Sequence, residues 1–304
     1  GVTYTMTRAG TWYFHLQLNG QDVLGSPFVT VIHPAKADAA HVVCSGVGVR
    51  SGSTTNNFPF KVQWRDAFGN DLKVGGVKLY ARLRGDSYHT KGTVPTVPLC
   101  DDDNKGALYC THRAAHPSAH HLDLRMLNYD MDTTGGRGLT GRYFTGEDMF
   151  RSASGKGADL APAVTRIEPT VAFSWPTGQI VPGLERLTAQ SARWEGYLVA
   201  PKTDIYTFET AHRNVAVIVY VDEHLVLDSE SDTVVSISLQ RSVAYMIRVE
   251  ARSSLTKPHE ASLELQWSTP TLKPTRIPRY FLHDSAKAVA FSPFPVSVTN
   301  GTAS

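Results

Sequence analysis

Three cysteines in 304 residues are too few for the disulfide framework that staples small secreted domains. No apolar stretch approaches the ~20 residues that cross a bilayer as a helix, so no membrane span is expected in this chain. An excess of charge is missing too: 30 Lys and Arg stand against 28 Asp and Glu, a formal net charge of +2. Nucleic acid, which requires a clustered basic face, is therefore not an expected partner. The opening Gly1-Val2-Thr3-Tyr4 has neither the basic end nor the apolar run of a signal peptide. Phosphate loops, Gly-x-Ser-x-Gly elbows and His-Glu-x-x-His motifs do not occur, and no catalytic residues and no cofactor are expected. Sustained helical periodicity is also absent.

What is present is alternation. Trp12 to Leu18, Phe60 to Trp64, Val77 to Leu83, Val243 to Val249 and Ala261 to Trp267 each alternate apolar and polar residues, the signature of a half-buried strand. Ala216 to Val221 is a continuous apolar run that ends at Asp222-Glu223-His224. With 24 Gly and 17 Pro punctuating at strand-length intervals, the pattern predicts an all-β fold of antiparallel sandwiches. Hydrophobic residues at 41% and charged residues at 19% exclude disorder as the main state. Two turn-rich joints, Asp132 to Gly138 and His283 to Lys287, bracket roughly 140 residues, a common domain size.

Several residues are candidates for chemistry. If Asn104-Lys105-Gly106 is a three-residue hairpin loop with Gly106 left-handed, Cys100 falls opposite Cys110, within bridging range. A disulfide and a pair of free thiols both remain open. Asp101-Asp102-Asp103 reads as turn chemistry rather than an acid–base pair. His112, His116, His120 and His121 have ligand-like spacing, but Pro117 interrupts them, and no metal site is expected. Asp222 and Asp228 read as caps of the hairpin around Glu223-His224. Asn300-Gly301-Thr302 is a glycosylation sequon that matters if the protein is exported.

Residues 1–34 resemble the end of a filamin-type immunoglobulin repeat, through Tyr4, Ala9-Gly10, the strand to Leu18, Asn19-Gly20 and Gly25-Ser26-Pro27-Phe28. The resemblance implies that the earlier strands of that repeat lie upstream. A second repeat resembles the family over residues 35–132 plus 286–304. Its opening strand is expected at Ala40 to Gly48, its Arg-Asp turn at Arg65-Asp66, and its last strand within Phe291 to Val298. On that resemblance the histidine run falls at a solvated corner between strands. The interruption, residues 133–285, resembles the protective-antigen module, a β-sandwich of toxins, glycosidases and adhesins. Its motifs are Gly141-Arg142-Tyr143-Phe144, Phe173-Ser174-Trp175, Arg193-Trp194-Glu195-Gly196-Tyr197, Tyr220-Val221-Asp222 and Leu263 to Trp267. Trp175, Trp194 and Trp267 are expected to pack the core.

The resemblances carry functional expectations. Adhesin members hold calcium, and through it sugar, with adjacent aspartates. Here Thr210 to Val215 contains no acidic pair, so calcium-dependent sugar binding is not expected. In filamins a partner peptide adds as an extra strand beside the third strand. Lys78, Tyr80 and Arg82 would then face that partner, with Leu79, Ala81 and Leu83 toward the core. The overall expectation is a non-catalytic structural or adhesive protein, a filamin-like rod with a projecting module. Its partners would be proteins, other copies of itself included, in a cell-surface or flagellum-associated assembly. An intracellular cytoskeletal or axonemal scaffold, and a carbohydrate-binding accessory region of a larger enzyme or adhesin, are the alternatives.

Overall fold

The computed structural model describes residues 3–85, 95–129, 135–145, 161–181, 190–253 and 260–300. Among these residues there is no α-helix, and the fold is all-β. The chain divides into two compact units. One comprises Gly1–Val77, Ala81–Arg125 and Ala288–Ser304, and the other Lys78–Tyr80 and Met126–Lys287.

In the first unit an antiparallel sheet runs in the order Val43–Ser45, Phe58–Gln63, Ala107–His112, Leu99–Asp102. A second layer places Ala119–Leu127 beside Phe294–Thr299, which pairs in parallel with Ser51–Ser53. Period-2 patterning sends Phe60, Val62, Leu122, Leu124, Val296 and Val298 inward, and all six are buried. The segment Ala40 to Gly48 departs from the expected single strand. It forms 3-10 turns at Ala39–His41 and Val47–Val49 around a short strand, Val43–Ser45. Asp38 caps the first turn by accepting from Ala40 N–H at 3.4 Å, offering the backbone a local alternative to the ladder.

One backbone device occurs twice in this unit. Leu16 N–H donates to Ser26 Oγ at 3.0 Å, Val23 N–H to Leu16 O at 3.0 Å, and Ser26 N–H to Val23 O at 2.9 Å. Leu124 N–H donates to Ser292 Oγ at 2.8 Å, Val289 N–H to Leu124 O at 3.1 Å, and Ser292 N–H to Val289 O at 3.0 Å. Each serine precedes a cis proline and then a phenylalanine that opens a strand, Phe28–Ile32 or Phe294–Thr299. Phe28 lies opposite Phe14, and Phe294 opposite Leu122. In the first copy the gap is filled by the hairpin Gln17–Leu18 with Gln21–Asp22. Its loop residues Asn19 and Gly20 both have positive φ, at 50° and 80°, as a two-residue type I′ turn requires.

The second unit is a sandwich. Its larger antiparallel sheet runs Val164–Glu168, Leu139–Phe144, Ser191–Val199, Ala244–Ser253, Val215–Val221, His224–Asp228, Thr233–Val234. The smaller runs Ala172–Trp175, Ala261–Thr269, Asp204–Arg213, Ile237–Leu239, with Leu272–Arg276 also pairing Ala261–Thr269. Between the sheets lie Trp194, Trp267, Trp175, Phe208 and Tyr206, and the Phe173 ring stacks on Trp194 at 5.0 Å between centroids. Each such side chain contributes on the order of 1.5–3 kcal/mol by leaving water. A smaller apolar cluster, Tyr80, Leu127, Tyr197, Val199 and Ala244, covers part of the opposite, outer face of the larger sheet.

Candidate binding site

The outer face of the larger sheet carries a charge lattice written by strand alternation. On Ser191–Val199 the even residues Ala192, Trp194 and Leu198 are buried in the sandwich, so Arg193, Glu195 and Tyr197 point the other way. On Ala244–Ser253 the same rule turns Ile247, Val249 and Ala251 inward and Met246, Arg248 and Glu250 outward. Register then sets the neighbours: Thr140 opposite Glu195, Glu195 opposite Arg248, and Arg248 opposite Tyr220. One row along, Arg142 faces Arg193, and Arg193 faces Glu250. Cross-strand side chains on one face lie close enough to interact directly.

Most of these charges are matched. Arg142 Nη1 donates to Glu195 Oε2, and Arg193 donates to Glu250 Oε1 through Nε at 2.9 Å and Nη2 at 2.8 Å. Arg248 differs. Its guanidinium sits 4.2 Å above the Tyr220 ring centroid, a cation–π arrangement. Its Nε lies 3.4 Å from Glu250 Oε1 but is buried without a hydrogen-bond partner.

Arg142, Glu195, Tyr220 and Arg248 line a cleft of about 410 Å³ that opens on the sheet face, with Glu223 and Asp284 on its walls. Glu223 is presented by a tight turn in which Asp222 and Glu223 have φ of 46° and 67°. Asp222 pins that turn by accepting from Met246 N–H at 2.8 Å. Asp284 is held by Arg137, which donates to both carboxylate oxygens at 3.1–3.2 Å, and by Ser285 Oγ at 3.0 Å. Burial pushes the Asp284 carboxyl up. The hydrogen bonds from Arg137 and Ser285 and the Arg137 charge outweigh it and hold the group below the usual carboxylate range. Thr140 Oγ1 donates to the Asp284 carbonyl at 3.0 Å and fixes the wall.

The partner-facing triplet is corrected. Tyr80 is 1% exposed and Arg82 2%, and Lys78 is half-buried, so they do not form a displayed face. Leu79–Gly85 is not an open edge either. It pairs with Ala119–Leu127 on one side, and Leu83 exchanges hydrogen bonds with Thr96 on the other at 2.8 and 3.0 Å. The Tyr80 ring packs on Tyr197 at 5.3 Å, and Arg82 Nη1 donates to Ala81 O at 2.7 Å. Both faces of the strand are covered, which the alternating sequence alone cannot reveal.

Cys100 lies directly opposite Cys110, and the two are joined by a disulfide. The loop between them turns through Asn104 and Gly106, with φ of 56° and 98°. Asp102 and Asp103 serve this turn, accepting from Asn104 and Lys105 N–H at 2.8 and 2.7 Å. Asn300 is exposed, and the rest of its sequon lies outside the described residues. His116 and His121 are exposed as a corner predicts, but His112 and His120 are buried. His112 Nε2–H donates to Gly48 O at 2.6 Å, and burial pushes its imidazolium pKa down. Among the described residues no group of three or more His, Cys, Asp or Glu is placed to hold a metal ion. Asp228 caps the next turn, accepting from Glu230 N–H and Ser231 Oγ at 2.9 Å. No helix of the described residues is long and apolar enough to cross a membrane.

Three solved structures illustrate the resemblances found. An anti-sigma factor domain-containing protein from Clostridium clariflavum aligns with 85% of this chain and 94% of its own, at 14% identity and TM-score 0.41. The Epithelial Adhesin 6 A domain from Candida glabrata, in complex with Galb1-3GlcNAc, aligns with 54% of this chain and 92% of its own, at 12% identity and TM-score 0.41. The Lin-41 filamin domain aligns with 30% of this chain and 81% of its own, at 14% identity and TM-score 0.25. The family model that matches the sequence is the PA14 domain, over residues 142–279, within the second unit.

Proposed function

We propose that the chain is part of a non-catalytic structural or adhesive protein. Filamin-like repeats follow one another as a rod, and a PA14 module, inserted into the last hairpin of one repeat, makes protein–protein contacts. The assembly is a cell-surface or flagellum-associated one. The observation that carries this reading is the duplicated serine device. It closes over 10 residues from Leu16 to Ser26 and over 168 residues from Leu124 to Ser292. Two copies of one device in series, one of them interrupted by a complete sandwich, fit an array of modules.

The junction between the two repeats supports the array. Asn70 donates its amide to Thr7 O at 2.7 Å and accepts from Ala9 N–H at 2.9 Å, while Asp66 accepts from Ala35 N–H at 2.9 Å. One turn thereby fixes both the preceding repeat and the linker, as a rod of defined spacing requires. The Cys100–Cys110 bridge favours an oxidising compartment, hence the cell surface over a cytosolic scaffold.

Adhesion of coated beads to the cells that make the protein tests the reading. Beads carrying the whole chain should bind. Beads carrying a chain whose residues 125–288 are replaced by the hairpin sequence Gln17–Asp22 should not. Equal binding by both would remove the module from the function.

A further inference from the structure

We infer that His112 is an acid-operated latch. At mildly acidic pH its protonation releases the turn Val47–Val49 and loosens the edge strand Ser51–Ser53, which holds the closing strand Phe294–Thr299. The latch lies wholly within the first unit and is independent of what the module contacts.

It consists of one hydrogen bond and one orphan atom. His112 ends the strand Ala107–His112 and is 3% exposed. Its Nε2–H donates to Gly48 O at 2.6 Å, so in the neutral ring Nδ1 is an acceptor. That Nδ1 is buried and has no hydrogen-bond partner. Protonation turns it into a donor with nothing to receive its hydrogen, a costly state in the interior. The added charge is not compensated either. Phe60 and Gly52 pack on the ring, and Phe58 lies opposite it. Arg50 and Arg113, beside the turn and the ring in the chain, are exposed. The titratable group that bears on His112 is His120 of Ala119–Leu127, itself 5% exposed. Its Nδ1 lies 3.0 Å from Ser118 O, and a proton there repels one on His112.

The latched turn carries the edge of the second layer. Gly48 is pressed onto the neighbouring strand, where a Cβ would lie 2.7 Å from Phe58 O. Arg50 N–H donates to Val47 O at 3.1 Å, and Arg50 O accepts from Ser297 N–H at 3.0 Å. Ser51–Ser53 then pairs in parallel with Ser297, Val298 and Thr299, and Thr54 N–H donates to Thr299 O at 3.4 Å. Losing the bond to Gly48 therefore frees the start of this rail. Burial pushes the His112 imidazolium down, the Gly48 carbonyl raises it, and the His120 charge lowers it further; burial wins. A lowered value in the latched state means that the latch is complete above the ordinary imidazole value, ~6.5, and is lost as pH falls below it. This window lies above the carboxylate range near about pH 4, which separates it from acid unfolding of the whole unit.

The test is hydrogen exchange of the whole chain, read by NMR at pH 7.5 and pH 5.0 and expressed as protection factors. Amides of Arg50, Thr54 and Ser297 should lose roughly 10- to 30-fold in protection at pH 5.0, the most that one proton supplies over this range. Those of Phe58–Gln63 should change less than about threefold. His112→Gln keeps a donor for Gly48 O but does not titrate, and it should hold the three amides within about threefold between the two pH values. Undiminished acid loss in a folded His112→Gln chain would overturn the proposal. So would wild-type amides that keep their protection, or equal loss in Phe58–Gln63, which is unfolding of the unit. If His112→Gln does not fold, the imidazole titration of the wild-type chain decides. A His112 ring that becomes protonated at or above pH ~6.5 with the turn still protected rules the latch out.

Discussion

Replacing Asp66 with alanine should unfold the first unit locally while leaving the second intact. Asp66 is 1% exposed, and its carboxylate collects three backbone N–H groups: Ala35 at 2.9 Å, Phe68 at 3.0 Å and Asn70 at 2.9 Å. It also receives the Asn70 amide at 2.9 and 3.1 Å, which orients Asn70 toward Thr7 and Ala9. Each buried donor left without an acceptor costs about 1–3 kcal/mol. Water reaches part of this turn, so the sum for Asp66→Ala is about 3–5 kcal/mol. Hydrogen-exchange mass spectrometry resolves the location. Amides of Phe58–Gln63 and Ala107–His112 should exchange roughly a hundredfold faster or more, and those of Ser191–Val199 and Ala244–Ser253 should not change. Acceleration below about threefold, or equal acceleration in both sets, would refute the reasoning. A pH dependence follows. Burial pushes the Asp66 carboxyl up, but hydrogen bonds from the Asn70 amide and from the Ala35, Asn70 and Phe68 backbone hold it below its ordinary value. A depressed folded-state value means stabilisation that is complete above the unfolded value, ~3.9, and is lost as pH falls through the folded one. Asp66→Asn should remove that acid-sensitive component.

Two further outcomes are specific. Thiol titration at pH 8 should find no fast-reacting cysteine in the native chain, one after denaturation, and three after denaturation with reductant. Cys100 and Cys110 are bridged, and burial pushes the Cys44 thiol up to about 12. Reduction should also lower stability by about 2–3 kcal/mol through the freed loop, and three thiols without reductant would contradict the bridge. Gly138→Ala should cost roughly 2–4 kcal/mol in urea unfolding of the second unit. Gly138 has φ of +122°, and a Cβ there would lie 2.0 Å from the Glu168 carbonyl oxygen. A loss below about 0.5 kcal/mol would show that the backbone relaxes freely at this entry point.

Much of the fold was legible because strands announce themselves locally. Phe60, Val62 and Trp64 are buried as their alternation predicts, and Asn104-Lys105-Gly106 has the chemistry its hairpin loop uses. The three tryptophans of the sandwich lie in its core for the same reason. The charged outer face of the larger sheet was not legible. Arg142, Glu195, Tyr220 and Arg248 come from four strands, and only register brings them together. The one available signal was charge on the solvent side of strands whose other side is wholly apolar, as in Arg193 and Glu195 or Arg248 and Glu250. The same ambiguity misplaced Tyr80 and Arg82. An amphipathic side chain on the polar side of an alternating strand reads as exposed whether or not another layer covers it.

On the proposed reading, in which the second unit is inserted into a hairpin of the first, the insertion is tolerable because the module closes its own loop. An open chain replacing a short hairpin would cost about 3 kcal/mol of additional closure entropy. The incoming and outgoing segments of the module run side by side instead. Leu127 N–H donates to Lys78 O at 3.0 Å, Asn128 N–H to Ser285 O at 2.8 Å, Gly136 N–H to Tyr280 O at 2.8 Å and Gly138 N–H to Leu282 O at 2.9 Å. Arg137 and Asn128 both reach Asp284 across the same seam. Folding the sandwich therefore brings its own incoming and outgoing segments side by side. That is why the chain with residues 125–288 exchanged for Gln17–Asp22 should keep its first unit folded, with the Cys100–Cys110 bridge formed. If that shortened chain loses its cooperative unfolding transition, the module is an integral part of the repeat rather than a guest in its hairpin.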